Sequence, residues 1–137
     1  MVETLKLEQP IHNTRRVAAK DIHLGNCKVE KGQDLLIVLA AANRDQQQFK
    51  NADQYNIERS NNGEHLTFGV GPHRCVAKHF SIHLACEALA FLFQKYKSVN
   101  LLTKDIEYEP LINARLPKNI LSALTKLKTK KMREVSK

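Results

Sequence analysis

The sequence predicts an α+β fold, and three observations carry that expectation. Residues 76–97 contain no Gly or Pro and are rich in Ala and Leu, the composition of a long helix. Residues 14–18 and 22–29 read as short strands bounded by turns. Residues 99–124 alternate short apolar runs with breaks at Pro110 and Pro117, which suits one or two terminal hairpins.

The bulk properties narrow the possibilities. A length of 137 residues suits one domain that buries a core without disulfide or metal staples. No apolar run is long enough to span a bilayer. The opening MVETLKLEQP has no apolar stretch of the kind a secretory signal needs, so a cytoplasmic location is expected. Three cysteines, an odd number, argue against a disulfide framework. Cys27 and Cys86 are expected to be small buried apolar residues.

The formal charge of +8 is uneven. Lys126, Lys128, Lys130, Lys131, Arg133 and Lys137 face only Glu134 in the last twelve residues, so the basic character is mainly that of a solvated tail over 125–137. No aromatic residue is interleaved there, and neither nucleic acid nor a membrane is expected as a partner.

In chain order, residues 2–7 read as the end of a helix stopped before Pro10. One or two turns are marginal alone, which suggests a piece of something longer. Gly25-Asn26 and Lys31-Gly32 supply turns. Residues 34–42 (DLLIVLAAA) suggest a strand passing into a short helix. Residues 43–67 are polar and irregular, the kind of long segment that is functional or disordered. The helix over 76–97 is apolar on nearly all faces and is expected to be buried in the core.

Between the irregular segment and that helix lies FGVGPHRC, residues 68–75. Two glycines and a proline in so short a span forbid regular structure. Cys75 ends this loop where the helix begins. The positive end of the helix dipole, with Arg74, Lys78 and His79 close in sequence, favours thiolate over thiol. A thiolate is the form that ligates a metal or attacks an electrophile. Gly69 and Gly71 allow close backbone approach to a flat partner.

Two other chemistries are weaker. Cys75, His79, His83 and Cys86 lie along one helix face, but at 1.5 Å per residue their ends stand roughly 16 Å apart. One zinc ion with bonds of about 2.0–2.3 Å cannot collect all four. A cysteine nucleophile served by His73 or His79 lacks an orienting third group.

The spacing of Phe68, Gly69, Gly71, His73 and Cys75 resembles the haem-binding loop of the cytochrome P450 family. Its surroundings are similar too: Thr14–Ala18, the segment Ala42-Asn43-Arg44-Asp45, the stretch Asp53–Asn56 with Arg59, and His65-Leu66-Thr67-Phe68. The resemblance implies a mainly helical C-terminal fragment of the P450 fold: the end of the K helix, short β-hairpins, the meander, the cysteine loop, the long L helix and terminal hairpins. It implies a haem-ligating portion over 1–124 and a tail over 125–137. It implies haem b as cofactor, with Cys75 as the axial thiolate and metal ligand. His73 and Arg16 match positions that bind haem propionates, and Phe68 an aromatic beside the sulfur. Gly69 and Gly71 complete the cofactor-binding set.

The family reaction is O2-dependent hydroxylation of a small organic substrate with electrons from a redox partner. An acidic ferredoxin or flavodoxin docking near Arg74, Lys78 and His79 is the partner implied. A substrate is implied only if the N-terminal part is supplied. The sequence shows no counterpart of the distal half of the family's active site, so no catalytic residue is assigned. A truncated gene product, half of a split protein, and a non-catalytic remnant without stable haem stand as alternatives. Two departures weaken the expected bracing. The E-x-x-R signature reads Glu3-Thr4-Leu5-Lys6, and lysine lacks the planar fork of arginine. Gln54 stands where the meander arginine is expected, so two cations of a buried network are altered or lost. Ala77 replaces a common glycine and is tolerable at a helix start.

Overall fold

The structure, a computed structural model, describes residues 1–127. The basic tail expected over 125–137 therefore falls largely outside the described residues. Its first two residues belong to a strand instead.

Helix α1 (Val2–Leu7) buries Glu3, Lys6 and Leu7 on its inner face. The i, i+3, i+4 spacing of these three residues places them on one side of the helix. Strand β1 (Asn13–Val17) pairs antiparallel with β4 (Asp34–Val38), with Asn13 opposite Val38 and Arg16 opposite Leu35. Between them, β2 (Ile22–Leu24) and β3 (Cys27–Val29) form a hairpin. Its turn at Gly25-Asn26 uses a left-handed φ of 57° at the glycine, which is why glycine suits that position. Strand β4 passes directly into the short helix α2 (Leu39–Ala42), as the run DLLIVLAAA suggests.

Residues 43–67 hold turns and a single 3-10 turn at Asn62–Glu64. This segment packs on α1 and contributes Phe49 and Ala52 to the core. The buried apolar residues are Leu7, Ala18, Leu39, Phe49 and Ala52. Beside them lie six buried polar or charged ones: Glu3, Lys6, Gln9, Asn43, His65 and Thr67. A core so polar is held by specific hydrogen bonds more than by apolar contact.

Helix α3 spans Lys78–Lys95, and β5 (Tyr96–Leu101) continues from it to pair with β6 (Ser122–Lys126). The helix starts two residues later and ends two earlier than its composition suggests. Val76-Ala77 form a turn, and Tyr96 is already extended at φ −123°, ψ 134°.

The expectation that this helix is buried does not hold: none of its residues is buried. Phe80, Leu84, Phe91 and Phe93 are each more than half exposed. A helix apolar on all faces needs cover on all faces, and the described residues supply little beyond β5. The expected burial of Cys27 and Cys86 also fails; both are exposed, one at the hairpin tip and one on α3. Among the described residues helix makes up 27% and strand 24%, an even mixture, so the mainly helical expectation is not met there. No helix among the described residues is long and apolar enough to cross a membrane.

Candidate functional site

The loop between Thr67 and α3 is closed by its own backbone. The N–H of Gly69 donates to the Leu66 carbonyl at 2.8 Å, and the N–H of Cys75 to the Phe68 carbonyl at 2.8 Å. A 3-10 turn at Gly71–His73 lies between, closed by the Arg74 N–H on the Gly71 carbonyl at 3.0 Å. Gly69 and Gly71 take φ of 69° and 76°, the left-handed region in which a side chain is strained. The two glycines thus turn the chain so that residues 68 and 75 meet.

That closure places Cys75 in the wall of a cavity of about 440 Å³. Phe68, Gly69 and His73 line it from the same loop, Thr14 and Arg16 from β1, and Leu39 from α2. Thr14 and Arg16 share a strand face because side chains alternate with period two. Five of the six cofactor-binding residues expected from sequence therefore border one cavity. The sixth, Gly71, shapes the loop from outside its lining.

Cys75 is exposed, so its sulfur is accessible. The Arg16 guanidinium donates through Nη1 to Thr14 Oγ1 at 3.1 Å and to the Arg15 carbonyl at 2.7 Å, which holds it at the rim. The Lys78 ammonium lies 6.0 Å from the centre of the Phe68 ring. Among the described residues, no three His, Cys, Asp or Glu side chains stand together in a way that could hold a metal ion.

The donor set suits haem b, an apolar plate with two carboxylates. Apolar atoms of Leu5, Pro10, Ile11, Leu39 and Phe68 face the cavity, a thiol enters from one wall, and Arg16 and His73 offer hydrogen-bond donors.

Behind the loop lies the buried bracing network, which differs from the sequence expectation. Glu3 is 1% exposed and pairs with Arg59, whose Nε stands 3.3 Å from Glu3 Oε1. Arg59 also donates to the carbonyls of Lys50, Asn51 and Gln54. The cation assigned as missing at Gln54 is thus supplied by Arg59, and Gln54 contributes only its carbonyl.

Lys6 is the true departure. Its Nζ donates to the Ala52 carbonyl at 2.8 Å and lies 4.7 Å from the Phe49 ring centre, and it makes no ion pair with Glu3. Glu3 Oε2 is left buried without a hydrogen-bond partner. Burial holds the Lys6 ammonium below the usual lysine range, against the pull of Glu3.

Two residues quoted only as parts of motifs prove central. Asn43 is fully buried, and its Oδ1 accepts from the Leu66 N–H at 2.7 Å while its Nδ2 donates to Thr67 Oγ1 at 3.0 Å. His65 is buried, and its Nδ1 accepts from the Thr67 N–H at 3.2 Å. The signal was a polar residue directly after an apolar helix, which sequence alone does not separate from an ordinary cap.

Comparison with known proteins gives the family and the fold. The sequence profile described as Cytochrome P450 matches residues 1–120. The biotin biosynthesis cytochrome P450 of Bacillus subtilis (strain 168) is 37% identical over 113 residues, 82% of this chain and 28% of that protein. Cytochrome P450(MEG) of Priestia megaterium is 31% identical over 97 residues, 71% of this chain and 24% of that protein. The crystal structure of P450BioI in complex with an acyl carrier protein ligated to hexadec-9Z-enoic acid superposes with a TM-score of 0.85 at 34% identity. That match covers 90% of this chain and 32% of the solved one. The haem domain of Acinetobacter radioresistens CYP116B5 gives a TM-score of 0.86 at 29% identity, over 90% of this chain and 30% of that domain. The chain thus spans under a third of the length of these relatives.

Proposed function

The chain belongs to the cytochrome P450 family, whose cofactor is haem b, and we propose that residues 1–124 form a haem-ligating portion with Cys75 as the iron ligand. The observation that carries this is the placement of an accessible Cys75 thiol in the wall of a cavity also lined by Arg16, His73 and Phe68.

Cys75 would hold the iron through its thiolate. Arg16 and His73 would donate to the cofactor carboxylates, Phe68 would pack beside the sulfur, and Gly69 and Gly71 would let the backbone approach the ring closely. When bound, the haem supplies the oxygen-activating chemistry of the family, which a thiolate ligand favours. Monooxygenation by an assembly containing this chain is part of the proposal. So are its small-molecule substrate and its cytoplasmic location. The redox partner is proposed to be an acidic ferredoxin or flavodoxin docking against Arg74, Lys78 and His79, of which Arg74 and His79 are exposed.

The test is spectroscopic. The chain is loaded with haem, reduced and exposed to carbon monoxide. A red-shifted Soret band that Cys75→Ala abolishes is the expected result. A band that survives Cys75→Ala removes the ligand assignment. Weaker donor binding after charge reversal at Arg74 and Lys78 is expected in the same loaded form, and unchanged affinity removes the docking assignment.

One observation favours a second possibility, a non-catalytic form without stable haem. Helix α3, which contributes Ser81 to the cavity wall, has no buried residue, so little holds that part of the wall in place. Failure to retain haem through gel filtration is the outcome that selects it.

A further inference from the structure

Asn43 lies 32 residues before Cys75 and is 0% exposed. Its carboxamide spends both ends on the two residues that precede the loop. Oδ1 accepts from the Leu66 N–H at 2.7 Å, and Nδ2 donates to the Thr67 hydroxyl oxygen at 3.0 Å. Thr67 then donates the same hydroxyl to the Leu5 carbonyl at 2.7 Å, which ties the pair to α1. The Leu66 carbonyl in turn accepts from Gly69, and the Phe68 carbonyl accepts from Cys75.

Asn43 therefore fixes the chain on one side of Leu66, while the closing bonds of the cysteine loop begin on the other. Its own N–H is engaged by the Leu39 carbonyl at 2.9 Å, so α2 fixes its backbone. The neighbouring Arg44 donates to Asp53 at 2.8 Å and to the Leu7 carbonyl at 3.0 Å, which braces the same corner. An amide that is wholly buried, with donor and acceptor both matched, has one orientation only.

We infer that Asn43, acting through Thr67, is the positioning residue that sets where the Cys75 sulfur stands. The inference rests on Cys75 being the ligand, but its main test does not require haem. Aspartate at this place would lose the donor to Thr67 and bury a charge. Valine at position 67 would lose the hydroxyl and keep the shape. Serine there would keep the hydroxyl.

The experiment is amide hydrogen exchange on the full chain without added haem, comparing Asn43→Asp, Thr67→Val and Thr67→Ser. Exchange across residues 66–75 is expected to quicken roughly tenfold in the first two variants, while the β5–β6 hairpin stays unchanged. Thr67→Ser is expected to match the parent. Unchanged exchange at 66–75 overturns the inference. Equal quickening throughout the chain overturns it as well, since it reduces Asn43 to general stability.

In haem-loaded protein, Asn43→Asp and Thr67→Val are expected to lower the fraction of the red-shifted carbon monoxide band severalfold. Cys75→Ala in the same assay reports on the ligand assignment alone, so failure of the one reading is distinguishable from failure of the other.

Discussion

Glu3 and Arg59, 56 residues apart, form a buried ion pair that ties α1 to the irregular segment, with 1% and 6% of their side chains exposed. Arg59 further donates to three backbone carbonyls, and Glu3 Oε1 accepts from the Asn56 N–H at 3.3 Å. Removing one partner of such a pair leaves the other charge buried and unpaired. Arg59→Ala is therefore expected to cost about 3–5 kcal/mol. Urea denaturation checks this. The double variant with Glu3→Gln is expected to lose less than the two single losses summed, because no orphan carboxylate remains.

Lys6→Arg is expected to stabilise the chain. Glu3 Oε2 is buried without a partner, while the Lys6 Nζ is committed to the Ala52 carbonyl. A guanidinium presents several donors in a planar fork and can serve both acceptors. One new charge-assisted hydrogen bond gives about 1.5–3 kcal/mol, less the strain of fitting a larger group. A rise in denaturation midpoint of Lys6→Arg over the parent is the expected reading. A fall shows that the space over Phe49 does not admit the fork.

Acid should loosen the segment that carries the loop. The His65 Nδ1 accepts from Thr67, which only a neutral ring can do. Burial holds its pKa below the ordinary 6.5, reinforced by Lys78 and Lys6 and opposed by Glu3. The unfolded chain then binds the proton more readily than the folded one. The contribution of His65 is intact above about pH 6.5 and declines as pH falls from there towards the lowered folded value. His65→Asn keeps an oxygen that can accept from the residue two ahead, and it does not titrate. It is expected to flatten the stability profile below about pH 6.5. An unchanged slope in that variant sinks the assignment to His65.

Local signals were the legible ones. The passage of β4 into α2, the Gly25-Asn26 turn and the irregular course of residues 68–75 all follow from short-range patterns. So does the gathering of Arg16 and Phe68 beside Cys75, through the family resemblance of those positions. Partners far apart in sequence were not legible. Arg59 stands five residues from Gln54, and nothing in composition tells which of them reaches Glu3; the fold of the irregular segment decides it. Burial of α3 was misjudged because composition reports what a helix wants covered, not whether cover is present.

Phe80 and Leu84 stand one turn apart on α3, 69% and 57% exposed. Contiguous apolar surface of this kind drives association. The chain is expected to bind an apolar fluorescent dye and to sediment as species heavier than one chain at micromolar concentration. Phe80→Ser with Leu84→Ser is expected to reduce both signals. Because neither side chain is buried among the described residues, each substitution should change stability by no more than about 0.5 kcal/mol, apart from a small loss of helix propensity. A large drop in stability with no change in dye binding indicates that these residues pack inward in solution, and that the α3 surface is covered from within the chain.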